Sequence, residues 1–142
     1  MFQGGVVDTC TLIYLERTNL LVAAGRSFRL LVPPDVVQEF GHPLPGCVTC
    51  TGTCTGDADG AVMQTAIELQ LPVLSEDRQL LMSSHRLGLK YYNTLMILLA
   101  LLFQQKISLE EYQQSYSSLR EIARYSTAVW QMGVQVFSLY VR

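Results

Sequence analysis

Short apolar runs alternate with longer amphipathic stretches along this chain, and no other feature restricts its fold as much. Three runs, at residues 5–7, 30–32 and 72–74, consist mainly of Val and Leu, and a less regular fourth run covers residues 89–92. Consecutive apolar residues are typical of strands buried on both faces, and the intervening stretches are long enough to join parallel neighbours. The pattern predicts an α/β fold, a three-layer α/β/α sandwich around a short parallel sheet.

The intervening stretches are predicted to be helices. Apolar residues recur at spacings of three and four over residues 12–24 and again over residues 59–70. Residues 94–104 are almost wholly apolar, which predicts a buried core helix. The unbroken apolar run within them is nine residues long. A transmembrane helix needs about 20 residues, so no membrane span is expected.

A helical extension is predicted at the C-terminal end of the chain. Ser108 and Glu111 have the spacing of a capping box, in which each side chain bonds the other residue's free backbone amide. The box predicts a helix that runs to about residue 125. Residues 127–140 are ambiguous but favour a second helix, so residues 108–142 together are predicted to be helical.

The composition predicts a single folded domain over residues 1–142. Hydrophobic residues make up 49% of the chain and charged residues only 15%, which excludes intrinsic disorder. A net charge of −2 gives no strong general attraction to nucleic acid, so RNA would need local basic groups or metal ions. The N-terminus has no signal-peptide pattern, which predicts a cytoplasmic, reducing location with cysteines as free thiols or metal ligands.

Four acidic residues lie where predicted strands and helices meet. Asp8 and Asp77 follow the first and third strands. Glu39 lies in a short helix after the second strand, and Asp59 opens the helix before the third. The carboxyl ends of parallel strands share one edge of the sheet, so these carboxylates are expected to converge there. Mg²⁺ or Mn²⁺, which prefer oxygen ligands, would neutralise their mutual repulsion. Taken singly, each acid also has a structural explanation as a helix cap or a turn residue.

Four segments resemble the motifs of PIN-domain nucleases, in the order that this family has. The first two are residues 6–13, Val-Val-Asp-Thr-Cys-Thr-Leu-Ile, and residues 32–40, which end in Gln-Glu-Phe. The other two are residues 59–69, which begin with Asp-Gly-Ala-Val, and residues 73–78, Val-Leu-Ser-Glu-Asp-Arg. The resemblance covers roughly residues 5–103 and implies the same α/β/α sandwich.

The resemblance implies a Mg²⁺- or Mn²⁺-dependent endoribonuclease that hydrolyses RNA phosphodiester bonds, with the four acids as metal ligands. Thr9 or Thr11 would hydrogen-bond to the site, and Arg78 would contact the RNA. VapC-like members of the family are toxins of toxin–antitoxin pairs, so an antitoxin protein and a homodimer are implied as partners. The segment between the second and third acids is nineteen residues long, shorter than in such members. Asp57 stays an alternative to Asp59 as the third acid.

Residues 41–58 interrupt the pattern and are predicted to form a loop rich in cysteine and glycine, here named the cysteine loop. Three thiolates and one imidazole in it would suit tetrahedral Zn²⁺: His42, Cys47, Cys50 and Cys54. The alternative is a loop whose cysteines are incidental. Cys10, close to Asp8, is expected to be a small core residue rather than a ligand.

Other residues near the expected site have two interpretations each. Glu76 is a candidate fifth acid, although alternation along an extended chain should point its side chain away from that of Asp77. Three basic residues would contact RNA phosphates or form a solvated face: His85, Arg86 and Lys90. Three aromatic residues would stack on bases or lie in the core or a dimer surface: Tyr91, Tyr92 and Phe103.

Two rival functions stay open. A non-catalytic PIN-like module would bind RNA or protein, with the cysteine loop held by zinc as its recognition element. A hydrolase of a receiver-like α/β fold would use Asp8 as a nucleophile. That hydrolase needs a lysine near the carboxyl edge, where neither Lys90 nor Lys106 is expected. Convergence of the four acids on one point would favour the nuclease.

Overall fold

The computed structural model describes residues 1–52 and 54–141, so Thr53 of the cysteine loop and Arg142 of the extension lie outside the described residues. The described residues form five strands: β1 (Gly4–Val7), β2 (Arg29–Val32), β3 (Thr49–Cys50), β4 (Val73–Leu74) and β5 (Tyr91–Tyr92). They build one sheet in the order β3-β2-β1-β4-β5, and every pair is parallel. The predicted fold class is confirmed.

Helices cover the sheet in the described part of the chain: α1 (Thr9–Arg17), α2 (Leu21–Ser27), α3 (Pro34–Phe40), α4 (Ala58–Leu69), α5 (Arg78–Arg86), α6 (Thr94–Phe103), α7 (Leu109–Ile122) and α8 (Thr127–Tyr140). Helices α1, α2 and α6 contact one another, and α7 and α8 pack against α6. Helices α4 and α5 form a second group, and α3 contacts both α1 and α4. The arrangement is a three-layer α/β/α sandwich.

The hydrophobic core surrounds the central strands and α6. Val6, Val7, Val73 and Leu74 of β1 and β4 are fully buried. Helix α6 buries seven of its ten residues, because α1, α2, α7 and α8 all contact it. Each buried Leu or Val side chain contributes about 1.5–3 kcal/mol relative to an exposed one, so this core fixes the two central strands. Within the described residues, no helix is long and apolar enough to cross a membrane.

The helical stretch expected over residues 12–24 is divided into α1 and α2. Thr18 ends α1, and its hydroxyl donates to the carbonyl of Tyr14 at 2.6 Å. Asn19 has a φ of 64°, in the left-handed region where a right-handed helix cannot continue. Asn tolerates this conformation better than most residues, which explains why the chain turns there.

Part of the cysteine loop forms β3, an edge strand of two residues, where the sequence predicted only loop. Thr49 pairs with Leu31, and Cys50 pairs with Val32 of β2. The N–H of Thr51 then donates to the carbonyl of Val32 at 3.0 Å. Both strand residues are exposed, so no apolar pattern marks them in the sequence.

The first C-terminal helix begins at its predicted cap. The Ser108 hydroxyl accepts from the N–H of Glu111 at 3.0 Å, and the Glu111 carboxylate accepts from the N–H of Ser108 at 2.9 Å. The capping box is therefore confirmed. Helix α7 ends at Ile122, slightly earlier than predicted, and the ambiguous segment after it is α8, capped by Ser126.

Candidate active site

The four predicted acids lie on elements that meet at the carboxyl end of the sheet. Asp8 follows β1 and caps α1, and Asp77 follows β4 and caps α5. Glu39 is in the last turn of α3, and Asp59 is in the first turn of α4. The charges of Asp59 and Glu39 both act on Asp8, and those of Asp77 and Glu39 act on Asp59. These four carboxylates, here named the acid cluster, therefore influence one another electrostatically, although no three of them are arranged to hold a metal ion in the part of the chain that the structure describes.

Asp8 is the buried member of this cluster, with only 4% of its surface exposed. One carboxylate oxygen accepts from the N–H of Thr9 at 2.8 Å, and the other accepts from the hydroxyl of Ser75 at 2.9 Å. These two bonds fix the plane of the carboxylate. Asp8 is thus held in place by its own helix and by the end of the neighbouring strand.

Burial is the main reason that the pKa of Asp8 is raised, from the usual 3.8 to about 6. The negative charges of Asp59 and Glu39 raise it too, while the bonds from Thr9 and Ser75 lower it. The ionised form of Asp8 is therefore disfavoured in the folded protein unless a positive charge is near. A cation bound beside Asp8 would favour its ionised form and lower this pKa.

Asp59 has a raised pKa for the same kinds of reason, although it is mostly exposed. Partial burial comes first, followed by the charges of Asp77, Glu39 and Asp57. Asp57 caps α4 by accepting from the N–H of Gly60 at 2.5 Å, as Asp8 and Asp77 cap α1 and α5. Of the two alternatives for the third acid, Asp59 is thus the one without a capping bond.

Asp77 is exposed, and its carboxylate accepts from the N–H groups of Gln79 at 2.8 Å and Leu80 at 3.4 Å. The N–H of Asp77 itself donates to the hydroxyl oxygen of Ser75 at 3.0 Å. Ser75 therefore contacts both Asp8 and Asp77. The sequence analysis did not identify Ser75. Its role follows from strand pairing, because Leu74 pairs with Val7, which places Ser75 beside Asp8.

Glu76 is not a member of the acid cluster. Its carboxylate accepts from the Thr11 hydroxyl at 2.5 Å, from the N–H of Thr94 at 3.1 Å and from the Thr94 hydroxyl at 3.0 Å. The Tyr125 hydroxyl donates to it as well. Burial raises the pKa of Glu76, and these bonds oppose the rise. Thr11, a predicted substrate contact, is thus used to hold Glu76.

Thr9, the other predicted threonine, differs from Thr11. It is the first residue of α1, and its hydroxyl oxygen is buried without a hydrogen-bond partner among the described residues. A buried polar group without a partner costs about 1–3 kcal/mol, so its presence beside Asp8 needs an explanation. A water molecule or ligand bound at the acid cluster would give this hydroxyl a partner.

The predicted zinc ligands have separate partners. His42 Nδ1 lies 3.1 Å from Glu16, Cys47 Sγ lies 3.7 Å from the carbonyl of Val22, and Cys54 Sγ lies 3.1 Å from Asp35. Cys50 is exposed in β3. Across residues 1–52 and 54–141, no three His, Cys, Asp or Glu side chains are already arranged to hold a metal ion. The structure therefore does not bring these four residues together, and zinc binding stays a prediction.

Cys10 was expected in the core, but it is exposed. The buried face of α1 consists of Thr9, Thr11, Leu12 and Leu15, and position 10 falls on the other side of the helix. The position of Cys10 on the helix, rather than its small apolar side chain, therefore decides that it is exposed.

Two of the predicted stacking residues, Tyr92 and Phe103, line one apolar groove beside α6, and Tyr91 is not among its lining residues. The ring of Tyr92 packs edge-on against Phe2, and the ring of Phe103 packs against Tyr140, although Phe103 is 42% exposed. Tyr91 lies next to His85, with ring centroids 5.9 Å apart. Only Tyr91 is on the side of the sheet that carries α5.

Comparison with known proteins gives no family or relative for this chain: no family model matches it, and no curated protein sequence matches it. The resemblance to PIN-domain nucleases therefore stays a prediction. Any functional assignment depends on the residues of the acid cluster and on their chemistry.

Proposed function

We propose that the carboxyl end of the sheet is the active site of a Mg²⁺- or Mn²⁺-dependent ribonuclease with a PIN-like arrangement of acids. The observation that carries this proposal is Asp8, a buried carboxylate whose pKa is raised to about 6 by burial and by the charges of Asp59 and Glu39. A fixed, buried carboxylate with other carboxylates near it is costly to ionise, and a bound cation would offset that cost.

The donor set fits a hard divalent cation. It consists of carboxylates, and Mg²⁺ and Mn²⁺ favour oxygen ligands over nitrogen or sulfur. Glu39, Asp59 and Asp77 are exposed, so their side chains can rotate towards Asp8, which two hydrogen bonds hold in place. When bound, such an ion would activate water and stabilise the charge of a phosphodiester under attack.

The protein's own residues would prepare this chemistry. Thr9 N–H and Ser75 orient the carboxylate of Asp8, and Ser75 also ties the backbone of Asp77 to the same point. The buried Thr9 hydroxyl would donate to a bound water molecule beside Asp8. Arg78, next to Asp77, would offset the charge of the RNA backbone at the edge of the site.

The experiment that tests the proposal is cleavage of a mixed single-stranded RNA by purified protein with Mg²⁺, Mn²⁺ or EDTA. Asp8→Asn and Asp77→Asn should each lower the cleavage rate at least a hundredfold (about 3 kcal/mol in the barrier). Glu110→Gln is the matched control, because Glu110 is an exposed acid in the first turn of α7, far from the cluster in sequence and layer. That variant should cleave at the wild-type rate.

Other results would lead to different conclusions. Cleavage that persists in EDTA, or in both site variants, would refute the proposal. Bound but uncleaved RNA under every metal would instead support the non-catalytic binding module. The roles of toxin, antitoxin partner and homodimer stay predictions that follow from the family resemblance alone.

A further inference from the structure

One face of α5 forms a groove with positive charge at both ends. The groove has a volume of about 330 Å³ and is closed on one side by Tyr91 of β5. Its helical lining residues follow the spacing of three and four that places side chains on one face: Arg78, Leu81, Met82, His85 and Arg86. No acidic side chain lines the groove among the described residues.

The groove begins at the acid cluster. Arg78 is the first residue of α5, directly after Asp77, and Arg86 is the last. Arg86 is eight positions after Arg78, which corresponds to about 12 Å along the helix axis. Both arginines are exposed. A negatively charged chain that lies along α5 would therefore meet a cation at each end and enter the acid cluster at the Arg78 end.

The rings of His85 and Tyr91 pack together near the Arg86 end of the groove. The His85 and Tyr91 rings are 84° apart in an edge-on contact, and the Tyr91 hydroxyl is 3.5 Å from His85 Nδ1. Tyr91 is half-buried, so its ring is fixed while part of it stays accessible. Leu81 and Met82 form an apolar part of the groove between the two arginines. Cations alternating with aromatic and apolar surface are typical of sites for single-stranded nucleic acid.

We propose that this face of α5 binds the segment of single-stranded RNA next to the bond that is cleaved. Arg78 and Arg86 contact its phosphates, and a base packs against Tyr91 and Met82. This inference rests on the proposed function in one respect, that RNA is the substrate of the acid cluster. It assigns the strand a path and two phosphate contacts that the acid cluster does not specify.

The test measures binding without cleavage. A fluorescein-labelled single-stranded RNA of mixed sequence is titrated with protein in EDTA, and fluorescence anisotropy gives Kd at several salt concentrations. Arg78→Gln and Arg86→Gln should each weaken binding and reduce the slope of log Kd against log salt by about 0.7, the value for one phosphate contact on a single strand. Tyr91→Leu should weaken binding about tenfold with the slope unchanged.

Arg26→Gln is the matched control, because Arg26 is an exposed arginine in the last turn of α2, in the other helical layer. It should leave both Kd and the slope unchanged. The two arginine variants change exposed side chains, so their folding is not at risk even if Tyr91→Leu loosens β5. Circular dichroism of every variant checks this point.

Three results would overturn the inference. The arginine variants could bind as the wild type does, the Arg26 variant could lose as much affinity as they do, or a labelled poly-glutamate peptide could bind as tightly as the RNA. The last result would show a surface for acidic protein. Failure of the nuclease proposal looks different, because RNA would then bind through α5 and stay uncleaved when Mg²⁺ is added.

Discussion

The hydroxyl of Tyr125 donates a hydrogen bond to the carboxylate of Glu76, the residue that precedes Asp77. Tyr125 lies in the connection between α7 and α8, so this bond joins the C-terminal helices to the carboxyl end of the sheet. Thr11 of α1 and Thr94 of α6 bond the same carboxylate. The C-terminal extension is therefore part of the support of the candidate active site.

Loss of the Tyr125 hydroxyl should destabilise the protein measurably. In Tyr125→Phe, the buried Glu76 carboxylate loses one of its donors, which should lower the free energy of unfolding by about 1–3 kcal/mol. Urea denaturation measures this change. Tyr116→Phe is the matched control, because the contacts of Tyr116 are through its ring, with Tyr112 and Trp130. Equal losses in the two variants would contradict the role given to the Tyr125 hydroxyl.

Asp8 should reduce stability at neutral pH, and Asp8→Asn should therefore increase it. The folded-state pKa of about 6 exceeds the usual 3.8, so the cost of ionising Asp8 grows as pH rises from about 4 to 6 and is complete above that. The difference between a pKa of about 6 and the usual 3.8 corresponds to about 3 kcal/mol. This value is the upper limit of the increase in the free energy of unfolding.

Urea denaturation of wild type and Asp8→Asn at several pH values tests this expectation. The gain should be present at neutral pH and vanish near pH 3, where Asp8 is protonated in the folded and unfolded states alike. A pH-independent difference would mean that the substitution acts through packing. The same variant is expected to lose RNA cleavage, so stability and activity should change in opposite directions.

Ser75 should set the pH range in which Asp8 can act. Its hydroxyl bond lowers the pKa of Asp8, so Ser75→Ala should raise that pKa further and move the acid limb of the cleavage profile to higher pH. The pH dependence of kcat/KM shows this shift. Ser118→Ala is the control, because the half-buried Ser118 donates to the carbonyl of Gln114 in its own helix. An unmoved acid limb in Ser75→Ala would exclude Ser75 as a positioning residue.

Asp35 ties the cysteine loop to α3 and should suppress the reactivity of Cys54. Its carboxylate accepts from the N–H groups of Thr55 at 2.8 Å and Gly56 at 3.2 Å, and from the Cys54 thiol. The bond and the charge of Asp35 raise the pKa of this thiol. Asp35→Asn should therefore speed the alkylation of Cys54 near neutral pH.

Mass spectrometry of peptides after a brief reaction with iodoacetamide measures the rate at each cysteine. Cys50 in the same protein is the internal control, and its rate should stay constant. Faster alkylation at both positions would indicate general loosening of the loop rather than a direct effect of Asp35 on Cys54.

The sequence was sufficient for the sheet class, for α6 and for the positions of the four acids, because apolar runs and their ends are local patterns. It was insufficient for β3, since Thr49 and Cys50 are exposed and pair only because Val32 lies beside them. The roles of Ser75 and Tyr125 were not predicted for a related reason. Each acquires its role from a partner far along the chain, and a single sequence does not show which strands or helices become neighbours.

The central claim is that the acid cluster holds one divalent cation, and isothermal titration of Mn²⁺ into the protein tests it most directly. At about pH 6, Asp8 is half-protonated, so binding should release about half a proton, which titration in buffers of different ionisation heat reveals. The account predicts Mn²⁺ binding with this release in the wild type and its loss in Asp8→Asn. Absence of binding in the wild type, or identical titrations of the two proteins, would contradict it.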